Sequence, residues 1–308
     1  MATYLFTHPA CLGHDPGQGH PERPARLASV LKALSGPEFA ALRRREAPLA
    51  TTEQLQRAHP QRYVEAVLQA FPTAGYVQLD GDTVVSPGSK DAALRAAGAL
   101  VAATDAVMGG EAANAFCAVR PPGHHAEPMR PMGFCLFNNV VVAARHARAL
   151  YGIAKVAVMD FDVHHGNGTE TQAMADADLF YASTHQSPLY PGSGTHNHAD
   201  HPNIVNAPLP PRSGSAEFHA AMSDMVLPAM RTFAPELVII SAGFDAHHAD
   251  PLAELRLTED DFAWATTQLL EVARDHAGGR LVSALEGGYD LDALGRSAQA
   301  HVRALMAA

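Results

Sequence analysis

The chain has little cysteine. Cys11, Cys117 and Cys135 are its only three, and they form neither a C-x-x-C pair nor an even set. A disulfide framework is therefore excluded, and free thiols in a reducing compartment are expected. Cys117 and Cys135 sit in apolar surroundings and read as buried, inert thiols, whereas Cys11 lies in a loop rich in Gly, His and Pro. No apolar run reaches membrane length, and the stretch before Pro9 and Gly13 is too short for a secretory signal core. These absences point to a soluble, cytoplasmic protein with no membrane partner. Positive charge is also scarce, with 22 Lys+Arg against 32 Asp+Glu and a net charge of −10. No basic patch stands out, which argues against nucleic-acid binding. An acidic surface serves solubility and is compatible with a cationic substrate. There is no internal repeat, low-complexity tract or obvious linker. A chain of 308 residues that is 47% apolar can fill one large core, so residues 1–308 are expected to form a single domain.

What is present is a regular alternation of short apolar runs and helical segments. Strands are expected at Thr3–Thr7, Ala115–Val119, Lys155–Met159, Leu179–Ser183, Leu237–Ser241 and Leu281–Leu285. Helices are expected at Pro24–Leu34, Pro60–Phe71, Lys90–Met108, Leu136–Tyr151, Gly168–Ala175, Ser215–Phe233, Thr258–His276 and Leu291–Met306. Ser89 reads as a cap, Gly109-Gly110 as a stop, and Pro228 as a kink in its helix. Thr258 and Asp261 stand at capping-box spacing. Continuously apolar strands alternating with helices imply an α/β fold: an open, mostly parallel sheet covered by helices on both faces. Ser187–Asn203 is then a long loop after a central strand, suited to shaping a pocket.

Five motifs begin where apolar runs end. They are Arg120-Pro121-Pro122-Gly123-His124-His125, Asp160-Phe161-Asp162-Val163-His164-His165-Gly166, Ser183-Thr184-His185, Ala242-Gly243-Phe244-Asp245 and Glu286-Gly287-Gly288-Tyr289. Ligands of open α/β sheets bind outside the carboxyl ends of the strands, where all five fall. Asp162 and His164 are two apart, so at a strand end both face one side. A carboxylate and an imidazole there suit a borderline metal such as zinc, and Asp245 offers a third ligand. Iron or cobalt would also be accepted by this donor set. Three protein ligands leave a position open, as at catalytic rather than structural zinc. His124 and His125 offer a proton shuttle, Tyr289 a phenol for a substrate carbonyl, and Asp160 a partner to orient a histidine.

Together with Gly133-Phe134-Cys135 and Tyr190-Pro191-Gly192-Ser193-Gly194, these motifs occur in an order that resembles the histone deacetylase family and its arginase/deacetylase fold. His20-Pro21-Glu22-Arg23 resembles the family's N-terminal loop. Asn167, where other branches carry Asp, points to the class II and bacterial amidohydrolase-like branch. The resemblance implies one zinc ion on Asp162, His164 and Asp245. It implies His125 as general base and then acid, with Asn167 as its partner, and His124 as an electrostatic partner paired with Asp160. Tyr289 would stabilise the oxyanion. Gly133, Phe134 and Tyr190 would line a narrow acyl-lysine tunnel, with Tyr190 where relatives often have Phe, and Leu252 would stand at the gate. Asp160, Asp162, His164, Ser183 and Thr184 match an inner potassium site. The implied substrate is an acylated lysine peptide or protein, or a small acylated amine. A small-molecule deacylase acting on an acetylpolyamine or similar amine is the closest rival, while Leu252, where polyamine-specific members carry Glu, argues against the polyamine branch. A two-manganese ureohydrolase and a catalytically weak acyl-lysine-binding protein are the other readings. The first lacks added carboxylates at Gly166 and His247, and for the second no catalytic position is missing. His196, His198 and His201 read as a solvated loop, His14 and His20 as rim-loop residues, and one of His247 and His248 as facing the pocket. An oligomer is compatible with the sequence, but no interface is legible in it.

Overall fold

The apolar runs become the inner strands of one sheet. A computed structural model describes residues 1–308. Strand β1 is Thr3–Thr7 and β2 is Arg43–Glu46, while β3 (Val77–Gln78) and β4 (Val84–Val85) form a small antiparallel ribbon. Then come β5 (Asn114–Cys117), β6 (Val156–Asp160), β7 (Leu179–Gln186), β8 (Ile204–Leu209), β9 (Leu237–Ala242) and β10 (Leu281–Leu285). The helices are α1 (Ala25–Ala33), α2 (Thr52–Gln56), α3 (Gln61–Ala70), α4 (Ser89–Met108), α5 (Asn139–Tyr151), α6 (Asn167–Met174), α7 (Ser215–Ala221), α8 (Leu227–Phe233), α9 (Glu259–His276) and α10 (Leu291–Met306).

Eight strands pair in the order β2-β1-β5-β10-β9-β6-β7-β8. All of these pairs are parallel, as helical crossovers require. Every residue of β5, β6, β7, β9 and β10 is buried, so both faces are covered. Helix α4 packs on α5, while α1, α10 and α9 pack in succession. The chain does not lay β6 beside β5. It leaves two places that β9 and β10 fill later. The segments leaving β5, β10, β9 and β6 therefore meet at one carboxyl edge, the crevice where open α/β sheets bind ligands.

Several expectations shift. Helix α5 begins at Asn139 instead of Leu136, because the Asn138 side chain caps it by accepting from the Val141 N–H (3.1 Å). Ser89 is the first residue of α4 and not its cap; its hydroxyl instead accepts from the Ser86 N–H (2.8 Å) and bonds His14. The helix expected over 215–233 is interrupted by a π-helical turn, Met222–Val226, just before Pro228. The wider turn absorbs the break in the helical hydrogen-bond ladder at Pro228, which has no N–H to donate. Strand β7 lies next to the edge, so the 187–203 loop follows a penultimate strand and not a central one. Two edge strands were not expected, one for want of an apolar signal and one because a proline interrupts an apolar run. β2 is Arg43-Arg44-Arg45-Glu46, exposed throughout, and its charge discourages edge-to-edge pairing. β8 contains Pro208, which an edge tolerates. The Thr258–Asp261 capping box forms, with the Thr258 N–H donating to Asp261 Oδ2 (2.8 Å). The three cysteines are free and buried.

Candidate active site

Asp162 and His164 lie just past the end of β6, in a bend, as the end of the apolar run implied. They converge because backbone amides aim them. Asp162 Oδ2 accepts from the Gly287 N–H (2.8 Å), and Asp245 Oδ1 accepts from the Val163 N–H (2.8 Å). The other oxygens, Asp162 Oδ1 and Asp245 Oδ2, each stand 3.1 Å from His164 Nδ1. The ligand atoms of these three residues lie within 4.8 Å of one another. Burial opposes a charge on His164, yet hydrogen bonds to the two carboxylates and their charges override it and raise its pKa to about 10. Two buried carboxylates thus draw a cation to this point. Two carboxylates and one imidazole suit zinc, and the geometry admits an ion in place of that proton.

His124 and His125 stand on the turn after β5. His124 Nδ1 is 2.9 Å from Asp160 Oδ2. Burial disfavours its charge, but Asp160 and Asp162 outweigh burial and hold its pKa at about 10. His125 moves the opposite way, well below its ordinary value, through burial and through repulsion from His124 and His164. Its Nδ1 meets Asn167 Oδ1 at 2.8 Å, and Asn167 Nδ2 donates to Glu127 Oε1 (2.8 Å). That second bond turns the amide oxygen toward the ring, so His125 Nδ1 donates and Nε2 keeps its lone pair. A neutral amide adds no charge to raise the base.

These groups floor a cavity of about 210 Å³ lined by Asp82, Pro122, His124, His125, Gly133, Phe134, His164, Leu189, Tyr190, Leu252, Gly287 and Tyr289. Gly133 and Phe134 both take positive φ, 56° and 68°. A Cβ at Gly133 would overlap the His125 ring. The strained Phe134 backbone is held by the β3–β4 ribbon: Gly133 N–H donates to Asp82 Oδ1 (3.0 Å) and Phe134 N–H to Thr83 Oγ1 (3.1 Å). The Tyr190 ring stands edge-on to His125 at 5.2 Å. Leu252 sits at the rim, 37% exposed. Tyr289 is half-buried, and loss of solvent around its phenol lifts the phenol well above its ordinary value, so it stays a proton donor.

The expected potassium residues meet less completely. Asp160 pairs with Ser183 in register, but Ser183 Oγ is bonded to His185 Nδ1 (2.9 Å). Thr184 Oγ1 is buried without a partner, an orphaned oxygen that a monovalent cation would satisfy. Neither His247 nor His248 lines the cavity; His247 is buried 3.5 Å from Glu259 because its ring turns to α9. His14 is buried beside Glu22, and His20 packs its ring on Phe134 at 4.7 Å.

Sequence reasoning gave no role to three buried charges. Glu286 Oε2 accepts from the Gly123 N–H (2.6 Å) and the His124 N–H (3.3 Å), which fixes the two-histidine turn. Its signal was its place at the head of Glu-Gly-Gly-Tyr. Glu22 bridges Arg120 and Arg26, all fully buried. Arg26 donates to the Gly288 and Glu286 carbonyls (2.5 Å each), with its guanidinium 4.8 Å from the Tyr289 ring centre. Only a charged residue at an inward helix position marked Arg26.

The histone deacetylase domain profile matches residues 20–305. The chain belongs to the histone deacetylase family. It is 42% identical over 286 residues to the histone deacetylase-like amidohydrolase of Pseudomonas aeruginosa, covering 91% of this chain and 74% of that one. It is 35% identical to histone deacetylase 14, chloroplastic, of Arabidopsis thaliana, covering 99% and 77%. A probable deacetylase of Archaeoglobus fulgidus is 35% identical, with 95% and 82% covered. The crystal structure of the HDA15 HD domain superposes with a TM-score of 0.94 at 34% identity, covering 99% of this chain and 88% of that one. The parallel sheet with its surrounding helices is thus the histone deacetylase fold. No helix is long and apolar enough to cross a membrane.

Proposed function

We propose that this protein is a zinc-dependent amidohydrolase that removes acyl groups from lysine side chains or similar acylated amines. Family membership supports deacetylase or amidohydrolase activity. The observation that carries the finer reading is the convergence of Asp162, His164 and Asp245 beside a neutral His125 and a protonated Tyr289. A zinc ion held by those three residues would polarise an amide carbonyl and acidify a water. His125, with Nε2 unprotonated, would accept a proton from the attacking water and pass it to the departing amine nitrogen. Asn167 keeps the tautomer that makes this possible. His124, held cationic by Asp160, offsets negative charge as it builds. Tyr289 donates its phenol proton in a hydrogen bond to the carbonyl oxygen as that oxygen becomes anionic. Gly133, Phe134 and Tyr190 narrow the entrance to fit an unbranched stem. Leu252 offers no carboxylate to a second ammonium, which favours acyl-lysine over acetylpolyamine. A potassium ion at Asp160, Asp162, His164, Ser183 and Thr184 would brace the strand ends. We assign residues 1–308 to one catalytic domain acting in the cytoplasm.

Turnover of a panel of acyl-lysine peptides and acetylated polyamines, by metal-free and zinc-reconstituted protein, tests this. Zinc-dependent release from acyl-lysine is the expected result. No turnover across the panel with one metal bound per chain would sink the reading.

A further inference from the structure

Asp250 lies five residues beyond Asp245 and lines no part of the cavity. It is buried, and its two oxygens serve segments far apart in sequence. Oδ1 accepts from the Leu252 N–H (3.0 Å). Oδ2 accepts from the Tyr289 N–H (2.7 Å) and, more distantly, the Asp290 N–H (3.4 Å). Its own N–H donates to the His247 carbonyl (2.9 Å). Leu252 and Tyr289 are both cavity-lining residues, one from the loop after β9 and one from the loop after β10.

The turn that carries Tyr289 needs such a restraint. Two glycines precede it, and Gly288 has a φ of 124°. Glycine leaves the backbone free to rotate, so the phenol's position depends on what grips the turn: Arg26 holds the Glu286 and Gly288 carbonyls, Asp162 the Gly287 N–H, and Asp250 the amides that follow. On the far side, Asp290 caps α10 by accepting from the Ala293 N–H (2.8 Å). On the near side, Asp250 alone provides a side-chain acceptor for the Tyr289 N–H. Burial and the nearby Asp245 charge raise the Asp250 pKa to about 7, so its grip rests on directional hydrogen-bond geometry, and removing the acceptor would strand the N–H groups it holds. Asp250 is absent from the converging metal-ligand group, so its carboxylate is free for this task.

We propose that Asp250 is a positioning residue for Tyr289: by gripping the Tyr289 and Leu252 amides together, it fixes the phenol relative to the tunnel rim. The catalytic half of this inference rests on the reading of Tyr289 as oxyanion donor. An Asn at 250 keeps one acceptor and turns an NH2 against an N–H, so it should fall between Asp and Ala.

The test uses the zinc-loaded 308-residue chain with Asp250→Ala, Asp250→Asn, Tyr289→Phe and the double variant D250A/Y289F. Amide hydrogen exchange in segments 250–254 and 286–292 reads the restraint without needing activity. In D250A, exchange should quicken in both segments, with bound metal unchanged. Its kcat should fall about tenfold or more, with a smaller change in KM, as misplacement of a reacting group predicts. In the Y289F background the same substitution should add less than about twofold, because both changes remove one function. Unchanged exchange in 286–292 would overturn the proposal, and so would a D250A penalty that multiplies in full on Y289F. Should D250A fail to fold, D250N decides by the same two readouts. If wild-type protein hydrolyses no acylated amine, the functional reading falls, and exchange still decides whether Asp250 holds Tyr289.

Discussion

Two buried regions of this protein hold histidine in opposite charge states. At the carboxyl edge of the sheet, His124 and His164 face Asp160, Asp162 and Asp245, and their pKa values rise to about 10. In the core between β10 and α10, His301 is equally buried, but its partners are the hydroxyls of Thr266 (2.6 Å) and Ser283 (2.8 Å). Burial there meets no compensating charge, and its pKa falls to about 3. His59, between the Pro128 carbonyl and the Asn138 N–H, falls to about 4 for the same reason. Burial disfavours the imidazolium in both places, and the partner decides the outcome. The sheet edge gathers charge around a neutral His125 where a reaction needs it, and the core packed behind it keeps its histidines neutral.

The contrast can be broken at its centre. Tyr289→Phe should lower kcat by about 100-fold or more while bound metal, measured by atomic absorption, stays constant. Unchanged turnover would remove Tyr289 from the chemistry. Next, Gly243→Ala should weaken metal binding sharply, because a Cβ there would overlap Asp162 Oδ2. Gly36→Ala, at φ −63° with nothing within 4 Å of the added carbon, should leave stability within about 0.5 kcal/mol by urea unfolding. Equal metal content in these two variants would contradict the close packing of the site.

The neutral region predicts an acid limit. His301 is depressed in the folded state, so the unfolded chain binds its proton first as pH falls. Its stabilising contribution is full above about pH 6.5 and is lost as pH falls toward 3. Between pH 7 and pH 4.5 this alone should cost on the order of 2 kcal/mol, with His59 adding to it. His301→Gln should flatten the fall in urea midpoint over that range, and an unchanged slope would refute the assignment. The smallest effect is expected at the surface: His198→Ala, whose ring is 3.4 Å from Glu170 and partly exposed, should change kcat/KM by less than about twofold.

Much of the fold was legible because hydrophobic periodicity reports burial directly. Strands β1 and β10 and helix α10 lie where their apolar patterns place them. The edge strand β2 escaped because a strand held on one side only need not be apolar, and β8 because Pro208 breaks an otherwise apolar run. Site residues were legible through spacing: a carboxylate two residues from an imidazole at the end of an apolar run is visible in a one-dimensional string. The groups that aim those residues were harder to see. Glu286 holds the His124 turn across 162 positions, and Asp250 reaches Tyr289 across 39. A carboxylate whose partner is a backbone amide leaves no complementary residue type to find.

By itself, the sequence determined the alternation of strand and helix, the parallel sheet and the presence of metal-competent side chains at strand ends. Local periodicity and residue chemistry suffice for these. Only the tertiary structure decided which strand ends meet. By setting β9 and β10 between β5 and β6, it brought Asp245 and Tyr289 to His125 and His164. It also decided the charge of each histidine, because a pKa depends on burial and on neighbours that the chain supplies from distant segments.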